Sequence, residues 1–139
     1  MSLSAIYSKT ITIPATAIDE NGHVNNVTYV QWMQDIAVEH YSSIGGIEAQ
    51  ASDATWVVRE HKIEYFLPAF AGEEVEIRTW VENIRRVRSL RKYEFIRKAD
   101  GKTLVKGETD WVFVDARTGT PRGVPEKVIQ VFAEARTKS

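Results

Sequence analysis

Between Asn26 and Ile44 the sequence carries a stripe at helical spacing: Tyr29, Val30, Met33, Ile36, Ala37, His40, Tyr41 and Ile44 recur at intervals of three and four. A stripe of that period marks a helix with one buried face, roughly 28 Å long at 1.5 Å per residue. Asn25 or Asn26 supplies its N-cap, and Gly45-Gly46 supplies its stop. Beyond the glycines the chain turns to strand-like patterns, so the apolar face of this long helix must pack against a sheet.

Residues 55–66 (TWVVREHKIEYF), 73–84 (EEVEIRTWVENI), 89–98 (SLRKYEFIRK) and 103–114 (TLVKGETDWVFV) are four strand-like runs. Alternation is clearest through Val75, Ile77, Thr79 and Val81, and through Val105, Gly107, Thr109, Trp111 and Phe113. Residues 4–14 (SAIYSKTITIP) form another strand, rich in β-branched side chains and ended by a proline. The breaks after the helix are short, which predicts antiparallel neighbours and a four-stranded meander. Asp100-Gly101 carries the signal of a two-residue hairpin. After a loop with Gly119 and Pro121, a short helix is expected from about Pro125 to Ala135. The runs exceed the usual ~5–6 residues of a strand, so the sheet must curl or carry bulges. A long curling sheet and one long helix have an economical solution, in which the sheet wraps the helix. The expected fold is α+β, a single hotdog domain over residues 1–139.

At 139 residues, 43% hydrophobic and 27% charged, the chain has the composition of one ordinary globular core. It has no cysteine, which rules out a disulfide framework, a zinc–thiolate site and a cysteine nucleophile. Lys and Arg number 18 against 19 Asp and Glu, so no overall field points to nucleic acid or to an anionic membrane. The start, MSLSAIYSKT, lacks the pattern of a signal peptide, and no apolar run approaches the ~20 residues of a membrane span. A soluble cytoplasmic protein is expected.

Chemistry concentrates at Asp19-Glu20-Asn21-Gly22-His23-Val24-Asn25-Asn26, just ahead of the helix. A carboxylate, an amide and an imidazole fall within five residues, beside a helix N-terminus whose N–H groups suit an oxyanion or a polarised carbonyl. Such a set can perform acyl-transfer hydrolysis. The same residue types also build plain turns and caps, and on spacing alone that reading comes first.

The segment Asp19-x-Asn21-x-His23, continuing as Val24-Asn25-Asn26-x-x-Tyr29, resembles the active-site segment of the acyl-acyl-carrier-protein thioesterases. More broadly it resembles the 4-hydroxybenzoyl-CoA thioesterase family of hotdog enzymes, where an aspartate precedes the long helix. Residues 63–69 (IEYFLPA), followed by Gly72-Glu73-Glu74-Val75, are similar to that family's second strand and turn. The likeness runs from about Ile11 to Phe113 and reverses the order of the two readings. It implies hydrolysis of an acyl thioester, either acyl-CoA or acyl-carrier protein, to free acid and thiol without a cofactor. It also implies a homodimer or homotetramer with the active site between subunits. Asp19 aligns with the catalytic aspartate, as nucleophile or general base. Asn21 and His23 align with the amide and imidazole of the carrier-protein subfamily, and Asn26 with the residue whose backbone N–H polarises the thioester carbonyl. The plant enzymes carry a further catalytic glutamate where this chain has Pro68, so Asp19 must carry more of the work.

Arg85, Arg86 and Arg88, continued by Arg91 and Lys92, place five cations in eight residues at a strand–strand turn. They read either as a solvated hairpin end or as an anchor for the phosphates of CoA or an acidic carrier protein. His40 on the helix stripe and His61 on a strand read as packing residues, as do Trp56, Trp80 and Trp111. Histidines at 23, 40 and 61 match no compact metal motif. No Gly-x-Ser-x-Gly elbow supports a serine hydrolase. Two alternatives remain open: a hydroxyacyl-thioester dehydratase, whose usual Phe-x-x-x-Pro after the histidine is missing here, and a non-catalytic acyl-ligand binding domain.

Overall fold

The alternating runs become five strands: β1 (Tyr7–Thr12), β2 (Ala54–Tyr65), β3 (Glu74–Arg85), β4 (Arg88–Arg97) and β5 (Thr103–Asp115). In the computed structural model, which describes residues 2–138, they form one antiparallel sheet in the order β1-β3-β4-β5-β2. Among the described residues, three α-helices and a short 3-10 turn at Ala15–Ala17 accompany them: α1 (Asn26–Ser43), the single turn α2 (Gly46–Ala49) and α3 (Glu126–Lys138). The sheet curls around α1, which is the hotdog arrangement. Register shifts at Val58/Glu60, Val81/Asn83 and Phe95/Ile96 supply the bend, because each unpaired residue tightens the local twist.

Two expectations need correction. The four later strands are not a simple meander, because β2 pairs with β5 rather than with β3. β1 takes the free edge of β3, and the loop at residues 66–73 carries the chain from one edge of the curled sheet to the strand beside the other. Local breaks cannot show this, since the edge of β3 is claimed by a strand from before the helix. Nor does Asp100-Gly101 make a two-residue hairpin. Arg97 N–H donates to Lys102 O at 2.9 Å, so four residues lie between them, with Gly101 at φ 70°. The two-residue turn is Arg86-Val87, closed by the Arg85–Arg88 pair, with Arg86 itself at φ 57°.

The core lies between α1 and the concave face of the sheet. Tyr29, Met33, Ile36 and Ala37 from the helix meet Val75, Ile77, Tyr93, Phe95 and Val105 from the strands. Each fully buried large side chain contributes about 1.5–3 kcal/mol. Gly107 permits the approach at the centre of β5: a Cβ there would lie 2.9 Å from Met33 Sδ. A second cluster seals the far end of α1, where Val81, Ala49, Val128 and Phe132 pack with Tyr41 and Trp56. The two ends of the molecule thus differ. The amino end of α1 lies by Tyr65 and Phe95, and its carboxyl end lies by Trp56 and Phe132.

Candidate active site at the amino end of the central helix

Asp19 stands near the tip of a miniature hairpin that runs straight into α1. Ile18 bridges Val24, Asp19 N–H donates to His23 O at 3.0 Å, and Asn25 N–H donates to Ala17 O at 2.9 Å. Val24 is buried and Ile18 packs on the core. Alternation therefore turns Asp19 and His23 together to the opposite, outward face. Gly22, at φ 84°, closes the tip with its N–H on Asp19 O. Asp19 Oδ1 accepts the Asn21 N–H at 2.9 Å, which orients the carboxylate. Its other oxygen has no hydrogen-bond partner among the described residues. The Asn21 side chain is exposed, and the His23 ring is half-buried beside it in sequence.

The helix start is capped unevenly. Asn25 Oδ1 accepts Val27 N–H at 2.8 Å, and Asn25 O accepts Thr28 N–H at 3.0 Å. Asn26 N–H has no acceptor among the described residues, so it remains as a donor at the positive end of the helix. Tyr29, one turn in, is buried with its hydroxyl unpartnered. Burial, with Tyr65 and Glu73 adding to it, pushes that phenol up to about 12, so it keeps its proton. The loop after β2 lies alongside, tied by Val24 N–H to Ala69 O at 2.9 Å. Val27, Tyr65, Phe66 and Phe70 leave an exposed apolar rim around the hairpin.

The basic run is not one patch. Arg85 and Arg86 are exposed and form no ion pair among the described residues. Arg88 grips Asp110 through two nitrogens, and Arg59 joins it at 3.0 Å. These contacts, Arg88 first, hold the Asp110 carboxyl below the usual range. Arg91 faces the interior and is only 4% exposed. The turn also lies far from Asp19: Arg85 is eleven residues along β3 from Glu74, or about 36 Å of strand.

His40 is buried in the core, stacked on Tyr7 at 5.2 Å between ring centroids. His61 bridges sheet and helix, with Nδ1 2.8 Å from Thr109 Oγ1 and Nε2 3.4 Å from Gln34 Nε2. Burial lowers its pKa. Of the strand tryptophans read as core or interface aromatics, Trp80 is not in the core: it lies on the outer sheet face with Nε1 donating to Glu82 at 2.9 Å. Among the described residues, no three His, Asp or Glu side chains gather as metal ligands. Among the described residues, no helix is long and apolar enough to cross a membrane.

A curled antiparallel sheet around one long helix, with a polar hairpin at the helix start, defines a hotdog protein. The family model of the Thioesterase-like superfamily matches residues 13–132. This chain belongs to that superfamily, which supports thioester hydrolysis as its general reaction. Solved structures share the fold at low identity. A 1,4-dihydroxy-2-naphthoyl-CoA thioesterase from Synechocystis is 15% identical, with TM-score 0.82 over 94% of this chain and 97% of that one. A Staphylococcus aureus protein in complex with CoA is 18% identical, with TM-score 0.84 over 99% and 87%. The 12:0-ACP thioesterase of Umbellularia californica is 18% identical, with TM-score 0.81 over 94% of this chain and 50% of that one. Among curated proteins, none matches significantly by sequence.

Proposed function

We propose that this protein hydrolyses an acyl thioester of CoA or of a carrier protein, with Asp19 as the reacting carboxylate. One observation carries the reading: Asp19 is oriented by its own turn, and the hairpin that holds it ends at a helix start whose Asn26 N–H is unclaimed. The thioester carbonyl oxygen binds that N–H, where the developing negative charge meets a preorganised donor. Asp19 then attacks the carbonyl carbon to give a mixed anhydride, or removes a proton from water that attacks instead. In both routes the C–S bond breaks and the thiolate leaves, which is easy because a thiol has a pKa near ~8.5. On the first route water then hydrolyses the mixed anhydride to the free acid and restores Asp19; on the second the proton that Asp19 took passes to the thiolate. His23 and Asn21 orient the water or the carbonyl.

Two copies complete the site in this reading. β2 is an edge strand of 12 residues, and an open edge of that length invites pairing. Pairing of β2 with its twofold copy is antiparallel. It sets the Trp56 end of one protomer against the Tyr65 end of the other, and so brings the partner's arginine turn toward Asp19.

The test is thiol release from acyl-CoA, followed with a thiol-reactive dye. Asp19→Asn keeps the shape and removes the charge, so kcat should fall about a hundredfold or more with KM nearly unchanged. Near-normal turnover by this variant removes Asp19 from the mechanism.

A further inference from the structure

At the opposite end of α1 from Asp19 lies a cavity of about 330 Å³, walled largely by Val38, Tyr41, Trp56, Trp111 and Phe132. Arg91 reaches it from β4 and is 4% exposed. A buried guanidinium is ordinarily matched by a carboxylate, because an unpaired charge loses its hydration with nothing in return. Here no acidic side chain pairs with Arg91 among the described residues, and none lines the cavity.

The partners Arg91 does have are neutral. One terminal nitrogen, Nη1, contacts His40 Nδ1 at 2.8 Å and Thr79 Oγ1 at 3.1 Å. Burial, with Arg91 adding to it, lowers the His40 ring to about 3, so the imidazole is an uncharged acceptor at neutral pH. The Phe132 ring lies 5.9 Å from the guanidinium carbon. Nη2 and Nε have no hydrogen-bond partner among the described residues. The indole N–H groups of Trp56 and Trp111 are sealed from solvent beside the Tyr41 and Tyr93 hydroxyls, so they do not open on the cavity. The cavity therefore combines apolar walls, a full positive charge and no anion among its lining residues.

We propose that this cavity binds the carboxylate of an apolar organic acid, with the free edge of the Arg91 guanidinium as its counter-ion. A planar fork of N–H donors suits a carboxylate better than a point charge would. The acid can be a released hydrolysis product or the distal carboxylate of an acyl group whose thioester lies at a neighbouring helix start. The second source rests on the thioesterase reading above; the binding itself does not.

Octanoate and octanamide are matched probes that differ in charge. Trp56 and Trp111 give a fluorescence readout, and calorimetry gives the affinity. Octanoate should bind at least tenfold more tightly than octanamide and raise Tm, since a ligand of the folded state stabilises it. Arg91→Met should abolish the preference without lowering Tm, because it removes an unpaired buried charge and leaves neutral partners. Arg91→Lys should keep binding but weaken it. Asp19→Asn should bind octanoate as the native protein does, which separates this proposal from the catalytic one. Octanoyl-CoA and its ω-carboxy counterpart, the CoA thioester of octanedioic acid, then distinguish the sources. A preference for the ω-carboxy thioester that vanishes in Arg91→Met identifies a substrate carboxylate. Equal use of both, with octanoate inhibition lost in Arg91→Met, identifies a product acid. Equal binding of octanoate and octanamide by the native protein, or no binding of either at millimolar concentration, overturns the proposal whatever the variants do.

Discussion

His40 illustrates how one side chain answers to two surroundings. Its place on the helix stripe requires burial, and burial strips the imidazole of the water that stabilises its charge. Arg91 beside it opposes a second positive charge, so the ring is neutral down to about pH 3. Between pH 6.5 and about 3 the unfolded chain carries a proton on this ring and the folded chain does not. The stability this group confers is complete above pH 6.5 and is lost as pH falls toward 3, by roughly 1.4 kcal/mol per unit. Asn in its place keeps an acceptor for Arg91 and cannot titrate. Urea unfolding of His40→Asn across that window should give a stability slope shallower than the native one by about that amount. Identical slopes would mean that the imidazole is protonated in the folded protein.

Among the elements, the join between α1 and α2 has the least slack. Gly45 turns the chain at φ 83°, and a Cβ on Gly46 would lie 2.3 Å from the Tyr41 ring. That ring cannot retreat freely, because it packs on Phe132 at 5.8 Å and Trp56 at 6.4 Å and its hydroxyl donates to Gln50 at 2.7 Å. Gly46→Ala should destabilise by about 1–3 kcal/mol, the usual range for overpacking. In a Tyr41→Ala background the same change should be close to neutral, and a double-mutant cycle in urea reads the difference. Additive losses would show that the ring is not the obstacle. The glycine pair is legible in sequence as a helix stop. Its second glycine as the seat of an aromatic wall is not, since that depends on what packs behind Tyr41.

At the scale of the molecule, the edge of β2 and the distance between Asp19 and the arginine turn point the same way. Val38 on α1 and Val57 on β2 are 58% and 43% exposed, too apolar for open solvent beside an unpaired strand. The double variant Val38→Glu/Val57→Glu should shift light scattering from a dimer or larger to a monomer and abolish thioester hydrolysis with it. An active monomer would show that each chain holds a complete site. The arginine turn is tested separately. Arg85→Ala/Arg86→Ala/Arg88→Ala should raise KM for acyl-CoA far more than for a short thioester without the carrier, and added salt should mimic it. An equal effect on both substrates assigns the turn a structural role, which the Arg88–Asp110 pair would explain.

Periods and punctuation lie within reach of sequence alone, because they are set by bonds between near neighbours. The helix, its asparagine cap, the long strands and the hotdog wrap come from 3.6- and 2-residue repeats with the breaks between them. The segment from Asp19 to Asn26 is legible as a turn and cap for the same reason, and as a candidate site only through its resemblance to the thioesterase segment. Strand order is not, because the edge of β3 is taken by β1 from across the helix. Arg91 reads in sequence as part of a surface run, although alternation with Ser89, Tyr93 and Phe95 already points it inward. Charge suggests solvent and period suggests core. Tertiary structure decides between them, since the packing of α1 and α3 over the sheet sets which end of each strand is covered, and with it which charge is left buried.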